Sequence, residues 1–138
     1  EGEHVSKDCI DHVIQIIDNI SFKNSLEPKK GRFTSKELEV VQDADRLDAI
    51  GAIGIARCFN YGGFKNRPLY DPAIKPNLNL SKEAYKKSSA PTLNHFYEKL
   101  LLLKDHMNTQ TGKIIATERH NYMIGFLEQF YKEWNGNL

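Results

Sequence analysis

Three carboxylates crowd one short stretch of this sequence, Val41-Gln42-Asp43-Ala44-Asp45-Arg46-Leu47-Asp48, which runs straight into Ala49-Ile50-Gly51-Ala52-Ile53-Gly54-Ile55-Ala56-Arg57. On a helix, Asp45 and Asp48 stand three residues apart and share a face, while Asp43 points elsewhere. Asp45 is followed on its own side by Ala49 and Ala52, a wall of small apolar groups. A carboxylate beside such a wall is costly to bury unless a cation or hydrogen-bond donors satisfy it. A hard divalent ion is one answer, because carboxylate oxygens suit Mg²⁺ and Mn²⁺. The other is a helix whose first half is rich in acids, which the helix dipole favours with no ligand at all. The spacing admits both.

The elements that must position these groups read as helices throughout. Val5, Cys9, Val13, Ile16, Ile17 and Ile20 recur at three- and four-residue steps, which predicts a first helix over Val5 to Ile20 with one apolar face. Pro28, Lys29, Lys30 and Gly31 mark a polar loop. Thr34 or Ser35 is the expected N-cap of a second helix, which should run on to about Cys58. Gly51 and Gly54 fall inside it, each costing about 1 kcal/mol relative to alanine, so close approach of another helix or a ligand is expected there. From Asn60 to Ala90 no period holds, and the segment reads as a long binding loop or a connector, with a short helix near Ser81 to Lys87. Pro91 opens a third helix to about Met107, with Leu93, Phe96, Tyr97, Leu100, Leu101 and Leu103 on an apolar stripe. Thr109 or Thr111 caps a fourth helix that ends at Trp134, before Asn135-Gly136. Its expected core face is Ile114, Ile115, Tyr122, Met123, Phe126, Leu127, Phe130 and Trp134. The fold class is all-α.

Composition narrows the partners. With 138 residues, 40% of them hydrophobic and 27% charged, the chain has the make-up of one soluble globular domain. A net charge of +1 gives no reason to expect duplex DNA as a partner. Cys9 and Cys58 lie too far apart for a thiolate zinc motif. The apolar stretch Ala49 to Ala56 is far too short to cross a bilayer, and Glu1-Gly2-Glu3-His4 is no signal peptide, so a cytoplasmic protein is expected. The sequence opens on Glu1 rather than Met, which suggests a piece of something longer.

The acidic segment resembles the last metal-ligand helix of the HD-domain phosphohydrolase superfamily, whose pattern is His, then His-Asp, then a later Asp. Ala44-Asp45-Arg46-Leu47 matches the final element. Three further stretches are similar to a branch of HD-domain proteins found in bacteria and fungi: Arg57-Cys58-Phe59-Asn60-Tyr61-Gly62-Gly63, His95-Phe96-Tyr97-Glu98-Lys99-Leu100, and Phe126 to Trp134. The likeness covers Ile14 to the end. It implies an HD-like helical bundle, represented by its C-terminal portion, with Asp45 as a ligand to a divalent metal and Asp45 and Asp48 as the candidate catalytic carboxylates. It further implies hydrolysis of a phosphoester or phosphoanhydride, a nucleotide being the expected small-molecule substrate. The family's first His and its His-Asp pair have no counterpart here. None of His4, His12, His95, His106 and His120 is followed by Asp. A single N-terminally incomplete domain over residues 1–138 explains that, and a non-catalytic interaction module that retains the HD fold is the alternative.

Against that chemistry, Arg46, Arg57 and Lys99 are candidate phosphate contacts, since guanidinium and ammonium groups pair with phosphate oxygens. Arg46 could equally pair with Asp43 or Glu39 on the surface, and Arg57 could simply favour a helix C-terminus. His95 and Lys99 share a face, suited to substrate binding or acid–base work, or else to a core-edge histidine beside a snorkelling lysine. Tyr61-Gly62-Gly63 could offer backbone amides to an anion from a Gly-Gly turn. Lys65, Arg67, Lys75, Lys82, Lys86 and Lys87, interleaved with Tyr70 and Tyr85, could touch RNA but read better as a solvated surface. Leu100 to Leu103 and the late aromatics belong to the core, or to a homodimer surface.

Overall fold

The computed structural model describes residues 5–20, 33–78 and 89–137, and every regular element among them is helical. In chain order these are α1 (Lys7–Asn19), α2 (Lys36–Asp48), α3 (Gly51–Phe64), α4 (Asn94–Glu98), a 3₁₀ helix (Leu100–His106) and α5 (Gln110–Trp134). The expected helix over Ser81 to Lys87 lies outside the described residues. No described helix is long and apolar enough to cross a membrane.

Side-chain caps set the starts of three helices. Ser6 accepts from the Cys9 amide, Ser35 from Leu38 and Thr109 from Gly112, each satisfying an amide that the helix itself leaves unpaired. The expected single helix from Ser35 to Cys58 is two helices. The chain breaks at Ala49 and Ile50, and Gly51 takes φ +78°, a left-handed conformation that side chains disfavour. A Cβ on Gly54 would stand 2.2 Å from the Ala49 carbonyl oxygen, so this glycine makes room for the turn. The compensation for two interior glycines is therefore a corner. After it, α3 runs on to Phe64, which places Gly62 and Gly63 inside a helix and removes the expected Gly-Gly turn. The expected third helix also divides at Lys99, where φ −146° ends α4 and the 3₁₀ helix begins.

The core is built on Ile50, Ile55, Leu93, Phe96, Leu100, Leu103, Met107, Met123 and Leu127. α5 forms its spine, packing on α2, α3 and the 3₁₀ helix. Phe96 stacks on Phe126 at 5.9 Å, and Tyr70 meets Tyr131 edge-on at 5.3 Å. The apolar pattern of α5 overreaches: Ile114, Tyr122 and Trp134 are exposed. That of α1 overreaches further. Val5, Cys9, Val13 and Ile17 are exposed, only Ile16 and Ile20 are half-buried, and no α1 residue is buried. The helix leans on α2 through polar contacts, with His12 Nε2 3.4 Å from a Glu37 carboxylate oxygen and Gln42 donating to the Asn19 carbonyl at 2.9 Å.

Asp43 joins α2 to the start of α5. Its carboxylate accepts from the Asn108 amide, the Thr109 amide and the Thr109 hydroxyl, at 2.8, 2.8 and 2.7 Å. Negative charge at a helix N-terminus is doubly favoured there, by the open amides and by the dipole. A Cβ at residue 112 would lie 2.3 Å from the Asp43 carboxylate, so Gly112 permits this approach.

Candidate functional site

The residues singled out by type and spacing separate into an exposed acidic edge, a buried pair and a cleft. Asp45 lies exposed on α2, and its side chain makes no hydrogen bond or salt bridge among the described residues. Its carboxylate is a hard oxygen donor open to an incoming cation, which suits a single ligand of a divalent centre. No three His, Cys, Asp or Glu side chains converge among the described residues, so this segment fits the implied metal as one donor and not as a complete site.

Arg46 is buried rather than on the surface. It stands 3.6 Å from the Asp43 carboxylate and donates to the His106 carbonyl at 2.6 Å. Of the two expected partners, Asp43 and Glu39, it is Asp43 that pairs with Arg46, and the pair sits inside, between α2 and the end of the 3₁₀ helix. Burial draws the guanidinium pKa down, while Asp43 and Asp45 oppose that. Held this way, Arg46 positions α2 and spends its donors on protein oxygens.

Arg57 was expected at a helix C-terminus and is instead midway along α3. The corner at Gly51 folds α3 back so that Arg57 reaches the last residue of α2. Its Nη1 donates to the Asp48 carboxylate and, at 3.1 Å, to the Asp48 carbonyl. A cation therefore does stand at a helix C-terminus, that of α2, through space rather than along the chain. Asp48 shares its face with Asp45 but is tied to Arg57.

Arg57 from α3 and His95 and Lys99 from the α4 stretch line one cleft of about 560 Å³ between the two helices. Tyr61, Arg67 and Glu98 complete its polar and aromatic wall, and Gly54 and Gly62 lie in it. Two backbone bonds tie the chain after Arg67 to the start of α4: the Thr92 amide donates to the Pro68 carbonyl at 2.8 Å and the Leu93 amide to the Leu69 carbonyl at 3.0 Å. Gly62 is required here, because a Cβ would stand 2.1 Å from the buried Thr92 hydroxyl. Arg67 had been assigned to a solvated surface and belongs to this wall. The backbone bond between its neighbour Pro68 and the sequence-distant Thr92 brings it there.

The cleft is electropositive. Burial, then the nearby Lys99 and Arg67, push the His95 imidazole down to about 4, so it is neutral at pH 7. Burial likewise lifts the Cys58 thiol to about 11, against a smaller opposing pull from Arg67 and Lys99. Cys58 thus lines the cleft as a protonated, unreactive group. A neutral imidazole beside two cations can donate a hydrogen bond to an anion without adding to the charge crowded there.

Similarity to known proteins is extensive. No family model matches the chain. It is 41% identical to the Bacillus subtilis protein YpgQ over 136 residues, which are 96% of this chain and 56% of YpgQ. A solved Lactobacillus plantarum structure superposes with a TM-score of 0.83 at 46% identity, covering 96% of this chain and 62% of that one. An HD-superfamily hydrolase from Bacillus thuringiensis superposes at 0.69 with 50% identity, covering 96% of this chain and 56% of that one. YpgQ has also been solved in complex with ADP, at a TM-score of 0.69, 38% identity and coverage of 94% of this chain and 54% of that one. The chain thus spans a little over half the length of the relatives it matches. Its fold is all-α and of the HD-superfamily helical type.

Proposed function

We propose that this chain is a portion of an HD-type, metal-dependent phosphohydrolase acting on a nucleotide or a related phosphoester or phosphoanhydride. The observation that carries the reading is the convergence of Arg57, Arg67, Lys99 and a neutral His95 on one cleft. Three cations and an uncharged donor suit phosphate oxygens, and the nucleotide class draws support from the ADP complex of YpgQ. Asp45 would hold the metal together with ligands from outside the described residues. A bound divalent ion supplies an activated water near neutral pH and offsets charge on the transferring phosphoryl group. Arg57 and Lys99 would orient the phosphate chain, and Asp48 would hold Arg57 at the cleft edge.

The test uses the full-length protein. Release of phosphate or pyrophosphate from a nucleotide panel should require Mn²⁺ or Mg²⁺, and Asp45→Ala should lower both the metal content and the rate. No hydrolysis across the panel, with metal content unchanged in Asp45→Ala, would favour the non-catalytic interaction module instead.

A further inference from the structure

The cleft has an aromatic side as well as a cationic one. Tyr61 lines it, yet the residue remains 53% exposed. That figure holds with two cations already near the ring, Arg67 Cζ and Lys65 Nζ each 5.7 Å from its centroid. The charges lie over the ring and still leave about half of the residue open to solvent. Phe64 continues the aromatic surface, its ring centroid 6.5 Å from that of Tyr61 and 77% exposed. An aromatic ring left open to water is apolar area that a ligand can cover, and this one borders the groups best placed for phosphates.

We infer that Tyr61 is a specificity-determining residue that stacks on the nucleobase of a nucleotide whose phosphates lie against Arg57 and Lys99. The inference rests on the reading of the cleft as a nucleotide site. A planar, electron-poor base suits the part of the π-face that the cations over the ring leave open. An aliphatic or inorganic phosphate would gain nothing from Tyr61. The ring therefore discriminates between ligands with the same phosphate chain according to whether a base is attached.

Equilibrium titration of the full-length protein with ADP and with inorganic pyrophosphate, each in Mg²⁺, tests this. Tyr61→Ala should weaken ADP about tenfold, in the range measured for stacking on one aromatic side chain, and leave pyrophosphate within about twofold. Tyr61→Phe should bind both ligands as the wild type does. Retained pyrophosphate affinity doubles as the check that Tyr61→Ala folds. Equal losses for the two ligands would overturn the inference, because Tyr61 would then act by holding Arg67. So would an unchanged ADP affinity, which would place the base elsewhere. If the wild type bound neither ligand, the nucleotide reading itself would fall, and the inference with it.

Discussion

Asp43 and Asp45 are two residues apart, and their fates differ because of groups more than sixty positions away. Asp43 is buried against the amides of Asn108 and Thr109, and Asp45 faces outward with its oxygens open. Helical spacing correctly separates the two, but it cannot say which one turns inward, since the partner helix start is distant in sequence. Among the cleft residues, His95 offers a titration that can be followed in solution. The folded protein holds its proton only below about pH 4, whereas an unfolded histidine titrates near 6.5. Between those values the unfolded chain binds more protons, so stability rises with pH across the window and declines as pH falls from 6.5 toward 4. Denaturation midpoints measured from about pH 7 to about pH 4 should fall on acidification. His95→Gln should remove part of that slope, and an unaltered slope would assign the titration to another group.

At the scale of the elements, helix existence was legible and helix continuity was not. Ser35 and Thr109 cap where their residue types predict, and the stripe from Leu93 to Leu103 is buried at Leu93, Phe96, Leu100 and Leu103. The run from Ala49 to Ala56 keeps a helical composition on both sides of its break, so only the two glycines signal the corner. That corner brings Arg57 to Asp48 and opens the cleft wall. Gly54→Ala would set a methyl group against the Ala49 carbonyl, a contact the backbone must move to relieve. It should cost about 1–3 kcal/mol, as overpacking does, and shift Arg57 away from Asp48. Chemical denaturation reads the first effect. Weakened pyrophosphate binding without loss of helical circular dichroism reads the second, and a Gly54→Ala protein as stable and as tight-binding as wild type would refute the role given to the corner.

The whole molecule carries one unresolved tension between pattern and burial. α1 has the apolar periodicity of a packed helix, yet Ile10, Val13, Ile14 and Ile17 are 47%, 47%, 48% and 63% exposed. Periodicity reports that a face is meant to be covered and says nothing about what covers it. Val40 and Val41 on α2 add to the uncovered apolar surface at 57% and 36%. YpgQ, of which this chain matches 56%, has ample further length to supply a cover. On the proposal that this chain is a portion of such a protein, α1 is an internal packing face. Burying a side chain of this kind is worth roughly 1.5–3 kcal/mol, so Ile10→Lys combined with Ile17→Lys should destabilise a full-length protein by several times RT. In the 138-residue chain alone, both positions already face water, and the same pair should change the unfolding free energy by less than about 0.5 kcal/mol each. Urea midpoints of the four proteins, two lengths each with and without the substitutions, decide the matter: equal small effects in both lengths would leave α1 exposed in the whole protein too, and its apolar face would have to serve another molecule.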